Sequence, residues 1–267
     1  MHADPHVTAP SPAWLNYLAA VARFPLRDAR PLALRLHIPS FAGDADPDGA
    51  LDTYLGYLKR EAAMHAVLLA GVSTIRQLSF EGAGASQLPE CRLDPLLAHL
   101  RRQFRFLDGD TAEHEATIDP GGVTPGRLAR LRAQGFSRIR FELDAAGTHA
   151  GQLEAQVAAA RAAGLGTVCM AFPFGAPDQE FGQLRRMLGA VLAAAPERVL
   201  PCHRPGAGRD EDTITAGSVA QRMLQLCSDH LDIASYAPSG ADGYVRLRGG
   251  RAHRLRRAGL PQRGRPV

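Results

Sequence analysis

Between residues 32 and 203 the chain alternates short apolar runs with longer Ala-, Leu- and Arg-rich segments, and this rhythm narrows the folds open to it more than any other feature. Runs at 32–38, 74–80, 114–119, 138–143, 167–172 and 198–203 have the length of strands, with 231–237 a candidate seventh. Segments 50–68, 91–105, 124–134, 150–163, 178–195 and 213–229 have the length and spacing of helices. Helix starts are marked by Asp48, by Thr124-Pro125 and by Pro177-Asp178. Strand followed by helix, six times over, predicts an α/β fold. Adjacent parallel strands need a long crossover, and a helix packed on the sheet in the right-handed sense supplies it.

Length permits one sizeable core: 267 residues with 45% hydrophobic content are enough for a single barrel-sized domain. No apolar run reaches membrane-spanning length and the start, Met-His-Ala-Asp-Pro-His, is polar, so no membrane insertion and a cytoplasmic location are expected. Cys91, Cys169, Cys202 and Cys227 are far apart and form no Cys-x-x-Cys pair, which argues for reduced, mostly buried thiols over a disulfide framework. The net charge of +4 hides an asymmetry: eight arginines and no acid follow Asp242, so the body carries −4. Residues 241–267 therefore read as a flexible Arg/Gly-rich tail. It lacks the aromatic interleaving and hydrophobic repeat that would favour nucleic-acid binding.

Several fragments, kept in order from about residue 14 to about residue 205, resemble the oxygen-independent coproporphyrinogen III oxidases, radical S-adenosylmethionine (SAM) enzymes of haem synthesis. Trp14 to Pro31 looks like the segment before the cluster strand, and Leu32 to His37-Ile38-Pro39 resembles that strand. Gln77-Leu78-Ser79-Phe80-Glu81-Gly82-Ala83-Gly84-Ala85 is similar to Gln-Leu-His-Trp-Gly-Gly-Gly-Thr-Pro, and Ile118-Asp119-Pro120 to Val-Asp-Pro. Gln134-Gly135-Phe136-Ser137-Arg138-Ile139 resembles Glu-Gly-Phe-Asn-Arg-Leu. Phe174-Gly175-Ala176-Pro177 resembles Tyr-Gly-Leu-Pro, and Pro201-Cys202-His203-Arg204-Pro205 resembles Tyr-Ala-His-Leu-Pro. The resemblance implies a partial (β/α)6 TIM-like barrel of the radical SAM type over residues 31–240, after an N-terminal extension (1–30), with its site at the strand C-terminal ends.

The departures from that pattern fall where the family's chemistry sits. The four cluster cysteines correspond to Phe41, Ala45, Asp48 and Ala50. Neither Phe41 nor Ala45 can ligate iron, and Asp48 is a hard oxygen donor poorly suited to a four-iron four-sulfur cluster. The Gly-Gly-Gly turn near the cosubstrate reads Glu81-Gly82-Ala83, two family acids read Thr117 and Ala171, and a family tyrosine reads Arg35. The chain also stops before the family's C-terminal domain. So many changes predict a non-catalytic, pseudoenzyme-like relative that has lost both the cluster and SAM. It would retain binding of a tetrapyrrole, another small molecule, or a haem-pathway protein at a barrel mouth formed by Arg35, His37, Glu81, Gly82, Thr117, Ala171 and His203. The enzyme alternative is oxygen-independent decarboxylation of coproporphyrinogen III with a cluster held by other ligands or supplied by a partner.

Plainer roles compete for individual residues. His37 suits a strand end, Asp119-Pro120 a turn, and Cys202-His203 lacks a third metal ligand in sequence. Asp44, Asp46, Asp48 and Asp52 occupy positions 1, 3, 5 and 9 of a calcium loop, with Gly49 at 6, but position 12 is Leu55 where a bidentate Glu belongs. An acidic, solvated loop with a helix cap is the simpler reading.

Overall fold

In a computed structural model the described residues are 31–69, 74–108, 111–145, 147, 150–176, 178–204, 218–240 and 243–247. β1 (Leu32–His37) leads into α1 (Pro47–Leu68), β2 (Thr74–Glu81), α2 (Glu90–Gln103), a two-residue β3 (Arg105–Phe106) and β4 (Glu113–Ile118). Then follow α3 (Pro125–Ala133), β5 (Arg138–Glu142), α4 (Leu153–Ala162), β6 (Thr167–Phe174), α5 (Phe181–Ala194), β7 (Arg198–His203) and α6 (Val219–Ile233). The chain then forms a hairpin of β8 (Tyr236–Ser239) and β9 (Gly243–Arg246).

The sheet order is β1-β2-β4-β5-β6-β7-β9-β8, with β3 beside β2. Its first six strands are parallel and each steps to the next position in the same direction, so the crossovers share one hand and the helices share one face. The sheet curls into a half-barrel with those helices outside, which is the partial (β/α)6 TIM-like barrel expected. The alternation within strands shows why. Leu36, Ile38, Leu78, Phe80, Ile118, Ile139, Phe141, Val168, Met170, Phe172 and Val199 point toward the helices and are all 3% exposed or less. They meet the helix stripes Leu96-Leu97-Leu100, Leu128-Leu131, Val157-Ala160, Leu184-Leu188-Val191 and Met223-Cys227-Leu231 in one core.

Local differences from the expected elements have physical causes. α1 starts at Pro47 because Asp46, not Asp48, caps it: the Asp46 carboxylate accepts from the Gly49 amide at 3.0 Å, and proline suits the first helical position, where no N–H is needed. Thr124 caps α3 and Ser218 caps α6 in the same manner. The expected seventh strand at 231–237 is corrected. The buried i, i+4 stripe Met223, Cys227, Leu231 carries α6 to Ile233, and β8 begins only after Ser235 turns the chain with φ +65°. β9 pairs antiparallel with β7 and with β8, so residues 243–246, expected in the tail, belong to the sheet. The 1–30 extension and residues 248–267 lie outside the described residues.

Candidate functional site

Alternation also decides what faces the hollow of the half-barrel. Register places Arg35 beside Ser79 and His37 beside Glu81, Ser79 beside Glu115, Thr117 beside Arg140, and Arg140 beside Cys169. Glu142 lies beside Ala171, and Ala171 beside Leu200. The inner face is therefore a lattice of acids and arginines. Arg35 Nε lies 3.8 Å from Glu81, Arg140 2.5 Å from Glu115, Arg138 3.2 Å from Glu113, and Arg204 3.9 Å from Glu142. A bulge in β2, seen as the register shift opposite Leu32/Ala33, turns Arg76 and Gln77 to the same side, where both reach Glu113. The Gln77 hydrogen bond and the Arg138 and Arg76 charges hold the Glu113 carboxyl below its ordinary range, against the effect of burial.

Halfway up the barrel this face is closed. Glu115, Thr117, Ala171 and Cys169 are at most 6% exposed, and burial pushes the Cys169 thiol up to about 12. Toward the strand C-terminal ends it opens: Arg35 and His37 are exposed, and Glu81 and Glu142 are half-buried, whereas His203, in register with the core residue Phe174, stands on the helix side of the sheet and not in the hollow. Burial raises Glu142 above the ordinary carboxylate range, with Arg204 and Arg140 opposing that shift.

The residues expected to line the mouth have distinct jobs. Glu81 accepts from Ser79 at 3.5 Å as well as facing Arg35. Thr117 is turned into the sheet, its hydroxyl donating to the Phe80 carbonyl at 2.8 Å. Ala171 leaves a small surface between Glu142 and Leu200. His203 lies against Phe174, ring centroids 5.5 Å apart, and packs so closely beside Gly175 (φ +84°) that a Cβ there would stand 2.8 Å from its ring. At Gly82 (φ +93°) a Cβ would stand 2.5 Å from the Ile38 carbonyl oxygen and 2.7 Å from the His37 ring. Gly82 is thus required by the turn itself, whatever binds above it. Gly84 supports the same junction, its amide donating to Ile38 at 2.9 Å.

The loop after β1 is occupied by its own side chains. Phe41 packs in a tilted arrangement against Tyr54, ring centroids 5.8 Å apart, and the Tyr54 hydroxyl donates to the His37 carbonyl at 2.7 Å, which ties the end of β1 to α1. Asp48 and Asp52 lie on α1 and both pair with Arg92, at 3.2 and 2.7 Å. That guanidinium hydrogen bond holds Asp52 below the ordinary carboxylate range. Of the calcium-loop aspartates, Asp46 is the cap, Asp48 and Asp52 are ion-paired, and Asp44 is exposed along with Ala45. Ala50 is half-buried on α1.

The residues present do not fit a four-iron four-sulfur cluster. The four positions after His37-Ile38-Pro39 offer no thiolate. Cys91 is exposed on α2, Cys169 is buried in β6, Cys202 lies in β7 with its thiol 3.5 Å from the Leu200 carbonyl, and Cys227 is buried in α6. Among the described residues no group of three or more His, Cys, Asp and Glu side chains is placed to hold a metal ion. Nor is any helix among them long and apolar enough to cross a membrane.

Sequence reading missed the inner lattice of Glu113, Glu115, Arg138, Arg140, Glu142 and Arg204. Its signal was present in Arg138-Ile139-Arg140-Phe141-Glu142, where charge and apolarity alternate with period two, the mark of a strand with one polar face.

No protein-family model matches the chain, and neither does any curated protein. Among solved structures, coproporphyrinogen III oxidase (HemN) from Escherichia coli, described as a radical SAM enzyme, aligns with a TM-score of 0.65 at 25% identity. The alignment covers 87% of this chain and 58% of that one. TYW1 with a lysine-pyruvate adduct and archaeal TYW1 align over 73% of this chain and 67% and 68% of theirs, both at 10% identity, with TM-scores of 0.41 and 0.42. The chain has the radical SAM type of half-barrel and spans little more than half the length of the coproporphyrinogen III oxidase it matches.

Proposed function

We propose that the chain is a non-catalytic relative of coproporphyrinogen III oxidase that has lost the iron–sulfur cluster and SAM. In this reading its barrel mouth binds a tetrapyrrole, another small molecule, or a partner protein related to haem synthesis. The observation that carries the reading is the Arg35–Glu81 pair. Two independent departures from the family pattern, a tyrosine replaced by Arg35 and a turn glycine by Glu81, stand on adjacent strands within 3.8 Å and neutralise each other. A charge inserted alone over the turn would disturb the site, whereas a complementary pair is a rebuilt surface. Thr117 and Ala171 point the same way: one former acid position now serves the sheet, and the other is a methyl group.

The test is anaerobic purification with iron and sulfide reconstitution, followed by absorption spectroscopy, an assay for methionine release from SAM, and calorimetric titration with SAM and with coproporphyrin III. The expected result is no stoichiometric cluster, no methionine, and no SAM binding tighter than roughly millimolar, a scale of about 4 kcal/mol. Saturable porphyrin binding weakened by Arg35→Ala would place the tetrapyrrole at the mouth. A stoichiometric, SAM-responsive cluster would sink the proposal and restore the enzyme reading.

A further inference from the structure

Depth sorts the charge pairs of the inner face. Below the mouth the arginines close on their glutamates: Arg76 and Arg138 stand 3.0 and 3.2 Å from Glu113, and Arg140 2.5 Å from Glu115. At the mouth the pairs are slack, 3.9 Å for Arg204–Glu142 and 3.8 Å for Arg35–Glu81, both beyond hydrogen-bond reach. Arg35 is the most open of these arginines, its side chain 72% exposed, and it donates no hydrogen bond among the described residues. Glu81 is 39% exposed, accepts from the Ser79 hydroxyl at a long 3.5 Å, and lies close enough for its charge to act on Arg140 from the far side of β4. A planar carboxylate is thus held loosely between two guanidinium groups, at the strand C-terminal ends where α/β barrels take their ligands.

We propose that the mouth takes a carboxylate-bearing ligand by ion-pair exchange, a ligand carboxylate replacing Glu81 on the Arg35 guanidinium; this rests on the reading of the mouth as a ligand site. An exposed pair at 3.8 Å contributes little and is easily displaced. Guanidinium presents a fork of donors, and a carboxylate lying in its plane gains two charge-assisted hydrogen bonds that Glu81 does not make. Glu81 stays close by and Glu142 faces the same hollow from β5, so a singly charged group suits the mouth better than a doubly charged phosphate. Glu81 is therefore an internal competitor. It balances the charge of Arg35 until a stronger partner arrives, and it turns away uncharged molecules that cannot replace it.

The test is calorimetric titration of the full chain with benzene-1,3,5-tricarboxylate, with the matching tricarboxamide as the uncharged control, and with coproporphyrin III. Arg35→Ala should weaken tricarboxylate binding about tenfold, the scale of a lost bidentate pair, while Glu81→Gln should strengthen it about fivefold. In the double variant Arg35→Ala/Glu81→Gln the gain should vanish, because exchange acts through Arg35 alone. Thermal unfolding of each variant checks that the fold is kept, as expected for side chains this exposed. No saturable tricarboxylate binding, equal binding of the tricarboxamide, a Glu81→Gln variant that binds no tighter, or a gain that persists without Arg35 would each overturn the exchange. Tricarboxylate binding with this pattern but no coproporphyrin III binding would uphold the exchange and sink the tetrapyrrole reading. Coproporphyrin III binding that all three variants leave unchanged would do the reverse.

Discussion

The two faces of the half-barrel sheet are built from alternate residues of the same strands, yet obey different rules. On β5, Ile139 and Phe141 enter the helix-side core while Arg138, Arg140 and Glu142 face inward, and each β5 charge meets an opposite charge from β4 or, for Glu142, from Arg204 just past the end of β7. The outer face is held by close packing, which tolerates little change of volume. The inner face is held by complementarity of charge, which survives paired exchange. Arg35, Glu81, Thr117 and Ala171 lie on the inner face and at its mouth, while the positions facing the helices are apolar.

That contrast can be broken by substitution. The largest effect is expected on the packed face: Phe141→Ala removes a fully buried ring and should destabilise by about 3–5 kcal/mol in urea unfolding. On the inner face, Glu115→Ala strands the Arg140 guanidinium against a nearly buried site and should cost about 2 kcal/mol, below the usual range for a fully buried pair because Arg140 is about one-fifth exposed. The double variant Glu115→Met/Arg140→Met should recover most of that loss. If it does not, the inner face depends on specific geometry and not on charge balance.

His114 tests the outer face by pH. It sits beneath Phe106 with Nδ1 donating to the Gly135 carbonyl at 3.2 Å, and its Nε2 is buried without a partner. Burial lowers its folded pKa below 6.5, and the hydrogen bond to Gly135 only partly offsets this, with Arg101 adding to the lowering and Asp108 opposing it. The unfolded chain therefore takes up the proton first. Stability from the neutral ring is complete above 6.5 and is lost as pH falls from there through the folded pKa. His114→Leu should flatten this part of the stability–pH curve measured by thermal unfolding, and an unchanged curve would assign the titration to other groups. The smallest effect belongs to the mouth: Arg35→Ala and Glu81→Ala should each change stability by less than about 1 kcal/mol, because the pair is open to solvent and screened. A larger cost would mean that the mouth is part of the structural lattice and not a replaceable surface.

The six parallel strands and all six helices were legible from periodicity, because a strand buried against helices and an amphipathic helix each write their period into the chain; only the bounds moved, α6 running to Ile233 instead of ending at 229. The β1–Gly82 junction was only half legible. The unusual Glu81-Gly82-Ala83 marks a turn, but the need for glycine comes from the Ile38 carbonyl, which is distant in sequence. The hairpin of β8 and β9 was missed because four-residue strands carry too few alternations to rise above a basic, Gly-rich background.

The sequence by itself determined the α/β class, the element order and the absence of cysteine at the cluster positions, since these depend on local period and residue chemistry. Only the tertiary structure decided that Arg35 meets Glu81, that Arg92 pairs with both Asp48 and Asp52, and that Arg140 closes on Glu115. Such pairings join residues that strand register and helix packing bring together from far along the chain. A charge shows in the sequence; its partner is fixed only when the sheet curls.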